Sequence, residues 1–243
     1  MGRSKRIFPD DCNPLEGRER IAIEPCACSK IAGLLPAAGR STRMGASNKL
    51  VDSLTSGVAF SDGAMVRKVA KEMVSARLHP IKVVTGYEAQ RVERALKGLD
   101  LHLVHNEDYH EGMGASLRCG FAALPADIDA AIVCLGDMPL IRARHIERLA
   151  KAFDPSAGCE ICVPVFDGRR GNPVLFSKRF FPEMATLRGD VGGRGMVERY
   201  ERFVFELPMD DAAVLVDIDS PEDIAHAAEI VATEERDRWN NGR

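Results

Sequence analysis

The sequence predicts an α/β domain: a mostly parallel sheet with helices on both faces. Three observations support this expectation. Apolar runs of strand length, such as Ile31 to Leu35 and Ala130 to Leu135, alternate along the chain with stretches of helical spacing. Those runs are nearly free of polar residues, which suits buried strands. No internal repeat or Gly/Ser linker interrupts the pattern, so one domain accommodates it.

Each element can be placed in turn. Met1 to Lys30 is polar, carries three prolines and has no periodicity; residues 1–30 are expected to form an extension outside the core. Ile31 to Leu35 is the first strand. Met65, Val66, Val69, Ala70, Met73 and Val74 fall on one helical face, with Arg67, Lys68, Lys71 and Glu72 between them on a solvated one. Ile81 to Thr85 is a strand, and Val92, Ala95 and Leu96 mark a second helix. Leu101 to Val104, Gly114 to Leu124 and Ala130 to Leu135 repeat the strand–helix–strand order. Ile141 to Phe153 reads as a helix, Cys159 to Val165 as a strand and Val214 to Ile218 as another. Ser220-Pro221-Glu222-Asp223 opens the last helix with an N-cap, a proline at the first position and acids in the first turn.

Composition excludes several classes. A formal net charge of -3 argues against a general nucleic-acid binder. No window approaches the roughly 18 uncharged residues of a membrane span. Met1 to Lys30 lacks the apolar middle of a secretory signal, so a cytoplasmic protein is expected. The seven cysteines form no even disulfide framework; Cys134 and Cys162 suit the core, and Cys26 and Cys28 suit exposed thiols. Cys159-x-x-Cys162 has no second pair of matching spacing, which argues against a bound metal. His105 and His110 fit no helical metal pair and read as polar loop residues.

The chemistry gathers at strand ends. If Ile31 to Leu35 is a strand, Pro36 to Asn48 is the loop at its carboxyl end, where open α/β sheets bind ligands. Gly39 and Gly45 would let the backbone approach a phosphate; Arg43 offers a planar fork of donors and Lys49 a compact charge. The stretch is neither a G-x-x-x-x-G-K-[ST] loop nor a G-x-G-x-x-G fingerprint, and a plain Gly- and Arg-rich surface loop is the competing reading. Asp137, just past Ala130 to Leu135, is either a Mg²⁺ ligand at the same sheet edge or a helix N-cap ahead of Pro139. Asp217 and Asp219 would point the same way from a strand; Asp219, nearer its end, is the preferred second ligand, with a place beside the last helix's cap as the alternative.

Taken together, the ordered motifs resemble the molybdenum cofactor nucleotidyltransferase family, within the MobA-like NTP transferases. They are Pro36-Ala37-Ala38-Gly39-Arg40-Ser41-Thr42-Arg43-Met44-Gly45 with Asn48-Lys49-Leu50, then Val84-Thr85-Gly86, Asn106, Glu111-Gly112-Met113 and Ser116-Leu117. Gly136-Asp137-Met138-Pro139, Arg170-Gly171-Asn172-Pro173-Val174-Leu175-Phe176, Gly189-Asp190 with Gly192 and Arg194, and Asp217 to Asp223 complete the set. The resemblance runs from about Ile31 to Ala232. Pro36, where the family usually has a leucine-like residue, and Val51 to Gly63 depart from the pattern.

The resemblance implies a Rossmann-like nucleotide-diphospho-sugar transferase fold with a mixed-direction edge. An NTP transferase domain would span residues 31–235, with a C-terminal tail at 236–243. It also implies transfer of a nucleotide to a phosphorylated acceptor, with loss of pyrophosphate. Pro36, Ala37, Ala38, Gly39, Arg40, Ser41, Thr85, Gly86 and Gly136 would bind the nucleotide. Arg43 would sit on the β,γ-phosphates, Lys49 near the α-phosphate, and Asp137 with Asp219 on Mg²⁺. Ser116, the turn of Arg170, Gly171, Asn172 and Pro173, and the loop of Gly189 and Asp190 would hold the acceptor. The A-A-G form is similar to the cytidylyltransferase branch, implying CTP and a molybdopterin-type cofactor as substrates, and a molybdenum hydroxylase or its maturation chaperone as recipient. A guanylyltransferase, a transferase with another phosphorylated acceptor, a molybdenum cofactor carrier and an NAD or flavin oxidoreductase are the alternatives.

Overall fold

The structure is a computed structural model that describes residues 29–39, 48–51, 63–189, 192–220 and 222–230. The first strand, β1 (Ile31–Ala37), lies at the centre of one sheet. After it come α1 (Met65–Ser75), β2 (Ile81–Thr85), α2 (Ala89–Leu96), β3 (His102–His105), α3 (Met113–Ala122), β4 (Ala130–Val133) and α4 (Ala143–Ala152). The second half comprises β5 (Ile161–Phe166), β6 (Arg169–Arg170), β7 (Val174–Ser177), the short α5 (Phe181–Met184), α6 (Gly193–Arg199), β8 (Val204–Pro208) and α7 (222–230).

The sheet runs β3-β2-β1-β4-β7-β5-β6, with β8 also paired to β5. The strands β1 to β4 are mutually parallel. Antiparallel β7 joins β4 to β5, and β8 pairs in parallel with β5. Among the described residues, six strands therefore share one direction, and only the β6–β7 arm reverses. The reversal starts at Asp167 and Gly168, whose φ angles of 49° and 71° make the tight two-residue turn that an Asp-Gly pair favours.

Alternation along the strands sorts side chains to two faces. Leu35, Ala37, Val83, Ile132, Cys162 and Leu175 lie with α1, α2 and α4; Leu34, Val84, Val133, Val163 and Phe176 lie with α3, α5 and α6. Helices cover both faces, which is why the central strands carry so few polar residues. Cys134 and Cys162 are buried free thiols, and burial pushes the Cys162 thiol up to about 12. Cys12, Cys26 and Cys28 lie outside the described residues. Among the described residues, no helix is long and apolar enough to cross a membrane.

Two sequence expectations change. The β1 strand extends through Pro36 to Ala37 although proline lacks a ladder donor. The Leu34 carbonyl accepts from Cys134 N–H at 2.9 Å, so position 36, two residues on, also faces the β4 side. The β4 strand has already ended at Val133, and the missing donor costs no sheet bond. Val214 to Ile218 is not a strand. Residues Ala212–Leu215 form a 3₁₀ turn capped by the Asp211 carboxylate, which accepts from Ala213 N–H at 3.0 Å. The segment beyond this turn meets the end of β4 through a backbone bond, from Ile218 N–H to the Asp137 carbonyl at 2.9 Å.

Candidate functional site

Strand order reverses at β1: β2 and β3 lie to one side of it, β4 to the other. The carboxyl ends of β1 and β4 flank the switch point, the place at which open α/β sheets bind ligands. Lys49 reaches this point from the segment after β1, and Asp137 from the turn after β4. The Lys49 ammonium donates to Asp137 Oδ2 at 2.9 Å and to Asp219 Oδ1 at 2.5 Å. Its side chain is 11 % exposed. Burial works against its charge, but the two carboxylates outweigh that and hold its pKa above the ordinary lysine value. Asp217 is exposed beside the pair; desolvation of its carboxyl and the like charges of Asp137 and Asp219 push its pKa up.

The backbone around Lys49 is pinned from three sides. Buried Asn48 accepts from Leu50 N–H at 3.2 Å and donates to Glu88 Oε2 at 2.9 Å. Arg91 also donates to Glu88, at 2.8 Å, and the Leu50 carbonyl accepts from Val66 N–H at the start of α1. Nothing in the local sequence signals the Asn48–Glu88 tie. Its partners are 40 residues apart, and Glu88 takes a left-handed conformation, φ 50°.

The capping alternative for Asp137 does not hold, whereas Asp219 does lie beside the last helix's cap through its backbone while its side chain serves Lys49. Helix α4 begins at Ala143 behind Arg142, well past Asp137. At the last helix, Asp223 accepts from the N–H groups of Asp219 and Ser220 and from the Ser220 hydroxyl, while Ser220 Oγ accepts from Asp223 N–H. Ser220 and Asp223 make the capping box themselves, and the Asp219 side chain is turned to Lys49.

Asp137 Oδ1 is buried and has no hydrogen-bond partner among the described residues. A buried, orphaned carboxylate oxygen is unfavourable unless something else binds it. A divalent cation would satisfy it, so Asp137 and Asp219 fit magnesium, which takes one or two protein carboxylates and fills its octahedron with water and phosphate oxygens. Among the described residues no cluster of three or more His, Cys, Asp or Glu forms a closed metal cage. Two carboxylates at a strand-end switch point are the arrangement for an ion shared with substrate.

The other sequence candidates separate into groups. Pro36, Ala37 and Ala38 are buried at the end of β1, and the Ala38 carbonyl accepts from Tyr87 N–H at 3.2 Å. Gly39 is exposed. Gly86 comes directly after Thr85 at the end of β2, and a Cβ there would fall 2.5 Å from Tyr109 and 2.8 Å from Ala38. Only glycine lets these three segments close together. Gly136 is buried beside Leu50 and the Pro36 carbonyl. Arg40, Ser41, Arg43 and Asp190 lie outside the described residues.

Two candidates do not offer free polar groups to a ligand. The Ser116 hydroxyl is buried and accepts from Asn106 Nδ2 at 3.3 Å, holding the loop before α3. The Arg170 guanidinium is bound by Glu201 at 2.5 and 2.9 Å and by Glu206 at 2.6 Å. Gly171 and Asn172 instead clasp the segment that leads to Asp219: Asn172 N–H donates to the Val214 carbonyl at 2.9 Å, and a Cβ on Gly171 would sit 2.1 Å from that oxygen. Gly189 accepts from Gly114 N–H at 2.8 Å, joining its loop to the start of α3. His105 is the last residue of β3 rather than a loop residue, and its Nδ1 lies 3.4 Å from Thr85 Oγ1; His110 lies in the 3₁₀ turn Tyr109–Glu111.

The sheet and its switch-point site define a nucleotidyltransferase fold. The chain superposes on Rv0371c from Mycobacterium tuberculosis H37Rv with a TM-score of 0.68 at 26% identity, covering 83% of this chain and 98% of that one. A complex of the same mycobacterial protein with manganese superposes with a TM-score of 0.64. CMP:2-keto-3-deoxy-manno-octonic acid synthetase shares the fold at a TM-score of 0.59 and 16% identity, covering 85% of this chain and 100% of that one. This chain belongs to the MobA-like NTP transferase domain family, whose model matches residues 33–203. It is similar to nicotine blue oxidoreductase of Paenarthrobacter nicotinovorans, 26% identical over 82% of this chain and 94% of that one. It is equally similar to molybdenum cofactor cytidylyltransferase of Escherichia coli K12, 25% identical over 83% and 97%, and to purine catabolism protein PucB of Bacillus subtilis 168, 29% identical over 79% and 93%.

Proposed function

We propose that the protein moves CMP from CTP to the phosphate of a molybdopterin-type molybdenum cofactor and releases pyrophosphate. The observation that carries the reading is the Lys49–Asp137–Asp219 constellation at the β1/β4 switch point, with Asp137 Oδ1 left unpartnered among the described residues. The Ala37-Ala38-Gly39 form of the loop and the similarity to a cytidylyltransferase over most of both chains support CTP and this acceptor.

On this reading the segment from Pro36 to Ser41 and the Thr85-Gly86 turn border base and ribose, with Gly136 beside them. Arg43 binds the β,γ-phosphates. Asp137 and Asp219 hold Mg²⁺, which when bound supplies charge neutralisation at the triphosphate. Lys49 stabilises the negative charge that develops at the α-phosphate. The acceptor lies over the Arg170–Pro173 turn and the loop of Gly189 and Asp190, with Ser116 and Arg170 shaping those loops rather than contacting it.

An acceptor phosphate oxygen attacks the α-phosphorus, a new phosphoanhydride forms, and the bond to the β-phosphate breaks as pyrophosphate leaves. The attacking oxygen is already anionic at neutral pH, so positioning and electrostatics suffice without a strong base. The described cysteines are free, consistent with a reducing, cytoplasmic setting. A molybdenum hydroxylase or its maturation chaperone would receive the product.

Pyrophosphate release with CTP, GTP, ATP and UTP, with and without Mg²⁺ and with molybdenum cofactor as acceptor, tests the reading. Mg²⁺-dependent release with CTP is expected. Release with GTP alone would move the protein to the guanylyl branch. Cofactor binding with no release from any nucleotide would make it a carrier.

A further inference from the structure

We propose that Lys49 is the resident counter-ion of the metal-binding carboxylates, so that nucleotide and metal are taken up together and metal alone binds poorly. The proposal rests on Asp137 and Asp219 being the metal site. The Lys49 ammonium sits on one oxygen of each carboxylate, at 2.9 and 2.5 Å. A divalent ion on the same two aspartates would need carboxylate oxygens at about 2.0–2.1 Å, next to a like charge. Even at the unpartnered Asp137 Oδ1, the ion would bind a carboxylate whose charge Lys49 already neutralises through Oδ2, so the two cations oppose each other.

Lys49 is only 11 % exposed, so its ammonium cannot simply withdraw to bulk water; it needs another anion. A triphosphate entering the switch-point site supplies one. The exchange requires no backbone movement. The turn that carries Lys49 is fixed by Asn48 through Leu50 and Glu88 and by the Leu50 carbonyl on α1, while the four-carbon lysine stem can swing. The ammonium that neutralises the aspartates in the empty site thus becomes the one that binds phosphate in the filled site. A carboxylate pair with no cation between transfers would attract stray divalent ions; Lys49 prevents that.

The test is Mn²⁺ titration of the full-length protein without nucleotide, following free Mn²⁺ by electron paramagnetic resonance. K49M should bind Mn²⁺ about tenfold or more tightly than wild type, because a competing charge is gone. K49R keeps the charge and should bind no tighter than wild type. If K49M leaves too many uncompensated carboxylates to fold, K49Q serves in its place. Equal or weaker Mn²⁺ affinity in the folded neutral variant overturns the proposal. Adding D137N to K49M should abolish the gain. A gain that survives D137N would mean the ion binds elsewhere, and both the metal-site reading and the proposal fall. If instead D137N removes nucleotide-dependent Mn²⁺ binding while K49M changes nothing, the site stands and the exchange alone is wrong.

Discussion

Asp137 faces two ways at once. One oxygen holds Lys49, and the other is buried without a partner among the described residues. Under the proposed chemistry that divided role makes it the most sensitive single position. Asp137→Ala should cut Mg²⁺-dependent turnover by about a hundredfold or more while the circular dichroism spectrum stays native. Near-normal turnover would remove its metal role. Asp137, Asp219 and Lys49 could be picked out in the sequence because each stands just beyond an apolar run or glycine-rich loop. The residues that aim them could not. Asn48 and Glu88 are 40 apart, and the bond between them arises from tertiary packing that no local spacing encodes. The ion pairs of Arg170 were hidden for the same reason: its partners Glu201 and Glu206 come from a later part of the chain.

At the scale of elements, the turn after β6 and the 3₁₀ turn before Asp217 behave as one unit. Gly171 lies against the Val214 carbonyl, and Ile218 N–H reaches the Asp137 carbonyl, so the spacing of Asp137 and Asp219 is set by backbone contacts. Gly171→Ala puts a methyl 2.1 Å from the Val214 carbonyl oxygen and must move the turn. It should weaken Mn²⁺ binding in the presence of CTP, with no acceptor added, by about tenfold, or about 1.4 kcal/mol. Unchanged binding would show that the clasp does not position Asp219.

The alternating residues from Val214 to Ile218 resemble a strand in sequence, but Asp211 caps a tight turn there and the neighbouring backbone is already paired. The β5–β6 hairpin, by contrast, does carry a local signal that strand-length patterning passes over: Asp167-Gly168 between apolar and basic runs favours a tight turn. The half-exposed β8, ending in Pro208, carries no comparable signal.

Across the whole molecule, the parallel half of the sheet was legible because its inner strands β1 and β4 are apolar on both faces and β2 is nearly so. The reversed β6–β7 arm entered only as the mixed-direction edge that the resemblance implies, because strand-length patterning does not read direction. Beyond the Lys49–Asp219 pair, two further ties join the late segment to the earlier half. One is the Ile218–Asp137 bond. The other is the pair formed by His145 of α4, whose Nε2 lies 3.0 Å from Asp211 Oδ2. Burial alone would raise the Asp211 pKa, but donors from His145 and Arg144 hold it well below the ordinary carboxylate range. Its stabilising contribution is therefore complete above about pH 4 and fades as pH falls from there toward the depressed value. D211N should lower the melting temperature at pH 7, and the gap from wild type should narrow below about pH 4. A gap independent of pH would contradict this.

The proposed reaction turns on one event, the passage of the α-phosphorus of CTP to the acceptor phosphate at the switch-point site. Incubating the protein with Mg²⁺, molybdenum cofactor and CTP labelled in turn at its α- and γ-phosphorus follows that atom directly. The α-label should appear on the cofactor and the γ-label in pyrophosphate, in equal amounts. Label that stays in CTP, or leaves as free CMP with no labelled cofactor, would contradict it.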